Sequence, residues 1–232
     1  MDLSTRSGLD ELMDAPELDE AVYQSCLADL AALNQLTRTH RATLRWLHGA
    51  TRNLPRGSRI SVLDVAYGQG DLLRLIAKWA QKRGFIADLS GIDLNPRSAL
   101  AARAATPAAS SIAYHTGDVF SFSPLPKPDY IVTSQFTHHL GDAEIIQFLG
   151  WLETHAARGW HIVDLHRHGF AYRTYPWLAR LMRWHPIVRH DGQVSIARGF
   201  TRPEWAHLLN QAGIAARIGW HLPFRHAVSR LR

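Results

Sequence analysis

The sequence predicts an α/β fold in which helices cover both faces of a mostly parallel β-sheet. From Ile60 onward, short apolar runs alternate with segments of helical periodicity, a rhythm that is typical of a parallel sheet. A small-residue loop follows the first run, and polar residues end the later runs, where the ligands of such sheets bind. The predicted strands are 60–65, 86–93, 112–117, 129–134 and 160–165, and the helices between them are 71–82, 96–106 and 142–156.

Both ends of the chain add further elements. Apolar residues at helical spacing predict helices over about 18–36 and 40–52, after a flexible or lid-like lead that ends near Pro16. A helix near 202–212 ends at Gly213, and two short strands follow it, at about 214–220 and 224–230. The stretch between the fifth strand and this helix is expected to be irregular, with a turn at 189–192.

Length and composition favour one domain with additions. The chain has 232 residues and is 46% hydrophobic, enough to bury a sizeable core. It has no run of about 18 apolar residues, and its acidic start is unlike a signal peptide, so we expect no membrane span and no secretory leader. Cys26 is the only cysteine, which excludes an internal disulfide and a cysteine-rich zinc site and favours the reducing cytoplasm.

Charge is distributed unevenly along the chain. Residues 1–30 carry eight acidic side chains and one basic side chain, whereas the remainder carries 25 basic and 12 acidic ones. Such a surplus can attract an anionic partner, but the basic residues are scattered and no nucleic-acid motif accompanies them. We therefore expect no nucleic-acid partner and, without an apolar span, no membrane partner.

The most informative stretch is 62–70, where a strand ends in a glycine-containing loop and a helix begins. Its spacing is not that of the dinucleotide fingerprint, because no third glycine appears where helix packing would need it. Instead, Asp64 ends the strand, four residues before Gly68. Asp93 and Asp118 end the next two apolar runs. Because the carboxyl ends of parallel strands meet at one edge of the sheet, we expect one pocket to collect these three carboxylates together with Gln135 and Asp164, which lie at or near the ends of the next two strands.

These residues resemble the first motif of the class I S-adenosylmethionine-dependent methyltransferases, which reads acidic-x-small-x-Gly-x-Gly. Residues 64–70 match it, with Ala66 in place of the commonest first glycine. The resemblance implies the family's Rossmann-like fold, a seven-stranded, mostly parallel sheet with an antiparallel last strand. It also implies an N-terminal helical cap at 1–56 and a cofactor-binding domain at 57–232, with a substrate-cover insertion at about 168–200.

By this resemblance, strand-end carboxylates hold the adenosine. Asp93 would accept from the ribose hydroxyls and Asp118 from the adenine amino group, since both groups are donors. Arg41 is a candidate to hold the methionine carboxylate, but Arg38 and Arg45 are equally available, and a solvent-exposed helix arginine is the alternative for each of them. Asn34, Thr39 and His40 could also lie near that carboxylate. The implied cofactor-binding residues are Asp64, Ala66, Tyr67, Gly68, Gly70, Asp93, Leu94, Asp118, Val119, Gln135 and Arg41.

Histidines are the candidates for proton transfer. The methyl group of S-adenosylmethionine is already activated, so catalysis needs positioning and, for a phenol acceptor, a base such as histidine. His138 and His139 follow the fourth strand, and at most one of them, His139 by preference, faces the substrate. The alternative is that this pair only shapes the loop. His166 follows the fifth strand beside Asp164 and is a third candidate. Asp164, His166 and His168 occupy alternate positions, a spacing that metal ligands can have. No further cysteine or acidic cluster in the sequence joins them, so we expect no metal site.

The aromatic-rich stretch 169–200 is expected to recognise a flat acceptor, with an amphipathic helix packed on the sheet as the equal alternative. Arg173, Arg189 or Arg198 could hold a substrate carboxylate. Segments at 11–14, 27–34 and 189–200 are similar to small bacterial methyltransferases associated with polyketide and quinone-like aromatic products.

The leading prediction is O-methylation of a phenolic or polyketide-derived aromatic in secondary metabolism, by a cytoplasmic monomer or homodimer. The alternatives are C- or N-methylation of a small molecule, a nicotinamide-dependent oxidoreductase, and a non-catalytic cofactor-binding accessory protein. The missing third glycine and the presence of Asp64 count against the oxidoreductase.

Overall fold

The computed structural model describes residues 2–232 and confirms the predicted α/β fold. The strands are β1 (Arg59–Val65), β2 (Ile86–Asp93), β3 (Ile112–Thr116), β4 (Tyr130–Ser134), β5 (Gly159–Leu165), β6 (Arg217–His221) and β7 (Arg225–Leu231). The helices are α1 (Glu20–Leu36), α2 (Arg41–Ala50), α3 (Asp71–Arg83), α4 (Pro96–Ala105), α5 (Asp142–His155), α6 (Gly169–Leu181), α7 (Pro186–Arg198) and α8 (Arg202–Gln211). Short 3-10 turns lie at Leu12–Asp14, Val119–Ser121 and Thr137–His139.

The seven strands form one sheet in the order β3-β2-β1-β4-β5-β7-β6. The first five strands pair in parallel, and β7 lies antiparallel between β5 and β6. The predicted sheet, including its antiparallel end, is therefore confirmed. Strand order reverses between β1 and β4, which is where an open α/β sheet leaves a crevice for a ligand.

Apolar side chains on both faces of the sheet explain why its central strands are buried. On one face, Leu63 and Ile131 pack with Phe148 of α5 and Trp205 of α8. On the other face, Val62 and Val132 belong to a second cluster with buried residues of α2 and α3. Burial on both faces is the reason that these strands are nearly continuous apolar runs in the sequence.

The N-terminal lead docks against the rest of the protein. The backbone N–H groups of Leu12 and Met13 each donate to the carboxylate of Asp191, at 2.9 Å and 2.9 Å. Asp191 is 3% exposed and lies on α7. Buried hydrogen bonds therefore hold the segment that the sequence predicts as a flexible lead.

The stretch expected to be irregular forms α6 and α7, and the turn predicted at 189–192 is wrong because those residues lie inside α7. Pro186 opens α7 behind His185, whose ring accepts from the N–H of Ile187, so the helix has a regular start. Gly192 suggested a turn in the sequence, but in the structure it allows α7 to pack closely against α6. A Cβ at this position would lie 2.1 Å from the ring of Tyr175 on α6, so only glycine lets the two helices approach.

Among residues 2–232, no helix combines the length and the apolar character that crossing a membrane requires.

Candidate active site

An open cleft of about 970 Å³ lies at the carboxyl ends of β1, β2 and β4, where the strand order reverses. Side chains from α1 and from the N-terminal lead form the wall of this cleft that does not belong to the sheet. Most of the residues that the methyltransferase resemblance implies for the cofactor meet in this one space. They are Asp64, Ala66, Tyr67, Gly68, Asp93, Leu94, Asp118, Val119 and Gln135.

The loop after β1 explains why small residues occupy the motif. Ala66 and Gly68 have positive φ angles of 58° and 52°, a left-handed backbone that large side chains disfavour. The N–H of Ala66 donates to the carbonyl of Ile92 at 2.8 Å, and the N–H of Gly68 donates to the carboxylate of Asp93 at 2.9 Å. These bonds tie the loop to the end of β2, so the motif and the second carboxylate form one unit.

The three strand-end carboxylates have different surroundings. Asp64 is 2% exposed, and its Oδ1 has no hydrogen-bond partner within residues 2–232. Burial, with the nearby charges of Asp71 and Asp93, raises the pKa of Asp64 well above its usual range. Burial also raises the pKa of Asp93, although the N–H groups of Gly68 and Asn95 oppose that shift. Asp118 is exposed, caps the short turn that follows it, and accepts from the N–H of Phe120 at 3.0 Å.

Two residues predicted to bind the cofactor do not line the cleft. Gly70 precedes α3 with a φ of 73°, and a Cβ there would lie 2.5 Å from the Tyr114 hydroxyl oxygen, so it shapes the loop from behind. Arg41 is exposed at the start of α2 and lines neither this cleft nor its neighbour. Its position does not support the role of carboxylate clamp, because the helix turns its side chain toward solvent.

A polar cluster at the end of α1 lines the cleft, whereas Arg41 does not. His40 Nε2 lies 2.8 Å from Asp71 Oδ2, and the Asn34 amide donates to the same oxygen at 3.2 Å. All three residues line the cleft. Burial alone would raise the pKa of Asp71, but the neighbouring His40 and Asn34 lower it, so the carboxylate stays charged. Asp71 is missing from the sequence-based set, although its position as the first residue of α3 after the glycine loop was a usable signal.

A second, smaller cavity of about 310 Å³ adjoins the cleft. Its walls come from the N-terminal lead, α1, α6, α7 and the turn between β6 and β7, and most of them are apolar. Tyr175 and Leu178 of α6 contribute to one side, and Phe224 closes another. The two spaces share five lining residues, which are Glu11, Met13, Leu30, Gln135 and His139. A ligand in either space therefore lies next to a ligand in the other.

Comparison with known proteins agrees with this arrangement. A family model described as a methyltransferase domain matches residues 38–216, more than half of the chain. The chain belongs to this methyltransferase family. No curated protein sequence gives a significant match to this chain.

Solved structures of S-adenosylmethionine-dependent methyltransferases share the fold. The plantazolicin methyltransferase BpumL with bound SAH has a TM-score of 0.63 at 17% identity, over 95% of this chain and 87% of that one. A SAM-dependent methyltransferase from Aquifex aeolicus has a TM-score of 0.62 at 17% identity, over 92% and 98%. Magnesium protoporphyrin IX methyltransferase from Synechocystis PCC 6803 with bound SAH has a TM-score of 0.56 at 17% identity, over 84% and 82%.

The methyltransferase thus uses S-adenosyl-L-methionine as its cofactor. The cleft fits this group on its own chemistry, because the buried Oδ1 of Asp64 and the buried hydroxyl of Ser134 have no partner within residues 2–232. Unpaired buried polar atoms are costly, and the amino group and hydroxyls of the cofactor are the kinds of donor that a carboxylate oxygen accepts.

His138 is held rigidly in the wall of the methyltransferase's smaller cavity. Its Nδ1 lies 2.7 Å from Asp164 Oδ1, and its Nε2 lies 3.4 Å from Glu11 Oε1. Burial alone would lower the pKa of His138, but these two carboxylates outweigh burial and raise it to about 10. An imidazolium this stable is a poor proton acceptor, so the geometry favours a positioning role for His138.

His139 lies at the junction of the two spaces and lines both. Its Nδ1 is 3.2 Å from Asp14 Oδ2, and its Nε2 is 3.9 Å from Glu11 Oε1. About 29% of its side chain is exposed, against 3% for His138. Of the two adjacent histidines, His139 is therefore the more accessible one.

Glu11 is a site residue that sequence reasoning did not identify. Ligand atoms of Glu11, His138 and His139 lie within 4.8 Å of one another, close enough to chelate a metal ion. Glu11 is also fixed by the Ser195 hydroxyl, which donates to it at 2.6 Å. Burial would raise the pKa of Glu11, but the two histidines and Ser195 lower it to about 2. The acidic lead thus brings a charged group into the site from outside the sheet.

His166 lines the smaller cavity but contacts aromatic groups and no carboxylate. Its Nδ1 accepts from the Trp220 indole N–H at 3.2 Å, and its ring centroid lies 4.6 Å from that of His226. Burial, with His168 and Arg167 nearby, lowers the pKa of His166 and keeps the ring neutral. Asp164 was expected in the shared pocket and beside His166, but it lines neither space and faces His138 instead.

Proposed function

We propose that the protein transfers the methyl group of S-adenosylmethionine to an oxygen of a small apolar acceptor, with a phenolic or polyketide-derived aromatic as the best candidate. The observation that carries this proposal is the junction of a polar cleft and an apolar cavity at Gln135 and His139. Two of the similar structures are named for methylating magnesium protoporphyrin IX and plantazolicin, and these names favour a small-molecule acceptor.

In this proposal the larger cleft holds the cofactor. Asp93 accepts from the ribose hydroxyls, because it ends β2 beside the glycine loop and each of its oxygens can accept a second bond. Asp118 accepts from the adenine amino group, and the adenine ring lies between the apolar side chains of Leu94 and Val119. Asn34, His40 and Asp71 lie at the other end of the cleft and would bind the methionine amino and carboxylate groups. Residues 1–56 would act as the cap over this cleft.

The acceptor would occupy the smaller cavity, under the cover made by 168–200. Methyl transfer is an in-line displacement on a sulfonium, so holding the acceptor oxygen opposite the methyl group supplies most of the catalysis. A phenol, with an unperturbed pKa of about 10, also needs a base. His139 is the base in this proposal, oriented by Asp14 and Glu11. Transfer to oxygen is favoured over transfer to carbon or nitrogen because His139 lies at the junction, where an acidic O–H would point.

The test measures SAH formation with a panel of phenols and with matched methyl ethers that have no free hydroxyl. We expect turnover with at least one phenol and none with its ether. Replacing His139 with Asn should lower kcat by roughly 100- to 10,000-fold, the usual range for losing a general base, while the affinity for SAH stays nearly constant. An unchanged kcat would make His139 structural, and turnover with the ethers would exclude oxygen as the acceptor atom.

A further inference from the structure

The smaller cavity contains a buried arginine without a counter-charge. Arg225 opens β7, is 5% exposed and lines this cavity. Its guanidinium donates to the carbonyl of Pro223 at 2.7 Å, to Gln135 Oε1 at 3.0 Å and to the Thr37 hydroxyl at 3.4 Å. Its Nε has no partner within residues 2–232. Every group that accepts a hydrogen bond from this guanidinium is therefore neutral, and the Nε–H group has no acceptor within residues 2–232.

A second buried arginine shows what a fully paired guanidinium looks like in this protein. Arg167 is also 5% exposed, but it holds the Glu204 carboxylate with two bonds, at 3.0 Å and 2.5 Å. It donates as well to the carbonyls of Leu3, Ser4 and Gly199. Fork-to-carboxylate pairing of this kind is the usual way to offset the burial of the charge. Arg225 has equal burial and no such pairing.

The carboxylate of Asp164, whose charge acts on Arg225, is already paired with other groups. Asp164 accepts from the Thr137 hydroxyl and from the N–H groups of His138 and Leu165, and it pairs with the His138 ring. Burial lowers the pKa of Arg225 to about 10, and the distant charge of Asp164 opposes this shift only in part. The partner of Arg225 is thus missing from the folded chain itself.

We propose that Arg225 binds a carboxylate of the acceptor, so that the acceptor is an aromatic carboxylic acid whose remaining surface is apolar. The proposal rests on the proposed function, which places the acceptor in this cavity, and it narrows the class of acceptor. Gln135 lies in both spaces and is bonded to Arg225, so the bound carboxylate would orient the acceptor at the methyl-transfer junction. A guanidinium suits this role because its planar fork matches a carboxylate.

The arginines suggested by the sequence are less suitable. Arg173 is exposed and does not line the cavity, and Arg189 does not line it either. Arg198 donates to the backbone carbonyls of His138, His139 and Leu9, so it holds the loop and the lead in place. Arg225 lies far along the chain from the rest of the site, which is why spacing could not single it out.

The experiment compares acids with their neutral amides. Benzoate and 2-naphthoate are titrated against benzamide and 2-naphthamide by calorimetry, with the SAH-bound protein and with its Arg225→Met variant, which keeps an unbranched apolar stem and removes the guanidinium. We expect at least one acid to bind the wild type tenfold or more tightly than its amide, and the variant to lose this preference. No preference for either acid in the wild type, or the same preference in the variant, would overturn the proposal.

Arg167→Met is the matched control, because it removes an equally buried arginine that has a protein partner. We expect this variant to have a lower Tm than the wild type, since Glu204 loses its partner, and Arg225→Met to have an equal or higher Tm. A large fall in Tm for Arg225→Met would contradict a ligand-binding role and favour a structural one. Unchanged SAH affinity in Arg225→Met separates this question from the proposed methyl transfer, which the phenol panel tests.

Discussion

The cofactor cleft and the acceptor cavity are built in different ways. The cleft collects residues that end neighbouring strands, so the hydrogen-bonded register of the sheet places Asp64 and Asp93 side by side. The cavity includes residues at the ends of β4, β5 and β7, but most of its lining residues come from the lead, α1, α6, α7 and the turn before β7, elements that no common sheet register aligns. Backbone geometry therefore fixes the first site, whereas side-chain packing and buried charges fix the second.

This difference indicates where each half of the site is vulnerable. In the cleft, a changed side chain removes a ligand contact while the sheet stays in place, although Asp93 also anchors the Gly68 loop. Around the cavity, groups such as Asp164 and Asp191 hold separate segments together, so a change there moves the walls. Specificity for the acceptor can thus change through α6, α7 and the lead while the sheet remains the same.

Removing Asp164 should have the largest effect on the cavity. Asp164→Ala leaves the buried His138 without its main counter-charge, and we expect a loss of about 3–5 kcal/mol in the free energy of unfolding, measured in urea. Asp142→Ala is the control, because the carboxylate of Asp142 is 69% exposed in its pair with Arg6 and should contribute under about 1 kcal/mol. Equal losses of unfolding free energy in the two variants would contradict the greater contribution that we assign to the buried pair.

Removing Asp93 should affect the cleft alone. Asp93→Ala takes away a charged acceptor from the proposed ribose site, and we expect SAH to bind about 1.5–3 kcal/mol more weakly by calorimetry. Asp118→Ala should weaken SAH binding less, since the exposed carboxylate of Asp118 competes with water for the adenine amine. Unchanged SAH affinity in Asp93→Ala would reject the assignment of the ribose to Asp93.

The pH dependence of stability should report on the cavity. Because the pKa of His138 rises from its ordinary value of 6.5 to about 10 in the folded protein, its stabilising effect is complete below pH 6.5 and is lost as the pH approaches 10. We expect the free energy of unfolding to fall between about pH 7 and pH 9, by at most about 1.4 kcal/mol per pH unit. His138→Gln should flatten this slope, and a wild-type profile as flat as that of the variant would contradict the assigned ion pair.

Some expectations from the sequence depended on local signals and others on distant contacts. The glycine loop and the strand-end carboxylates were predicted because each is a neighbour in sequence of the strand that positions it. The turn expected at 189–192 was wrong because Gly192 serves close packing with Tyr175, a contact that spacing does not reveal. Arg41 was expected in the cleft because it follows α1, but His40 lines the cleft and Arg41 faces solvent.

The sequence by itself determined the alternation of strands and helices, because this alternation follows from hydrophobic periodicity. It also contained the motif whose resemblance to methyltransferases implied the seven-stranded sheet and the cofactor. Only the tertiary structure decided which groups line the smaller cavity. Glu11, His139 and Arg225 come from the lead, from the turn after β4 and from β7, and they share one cavity because long-range packing brings their elements together. Hydrophobic periodicity reports residues that are close in sequence, whereas the wall of a cavity is formed by residues that only the folded structure brings close together.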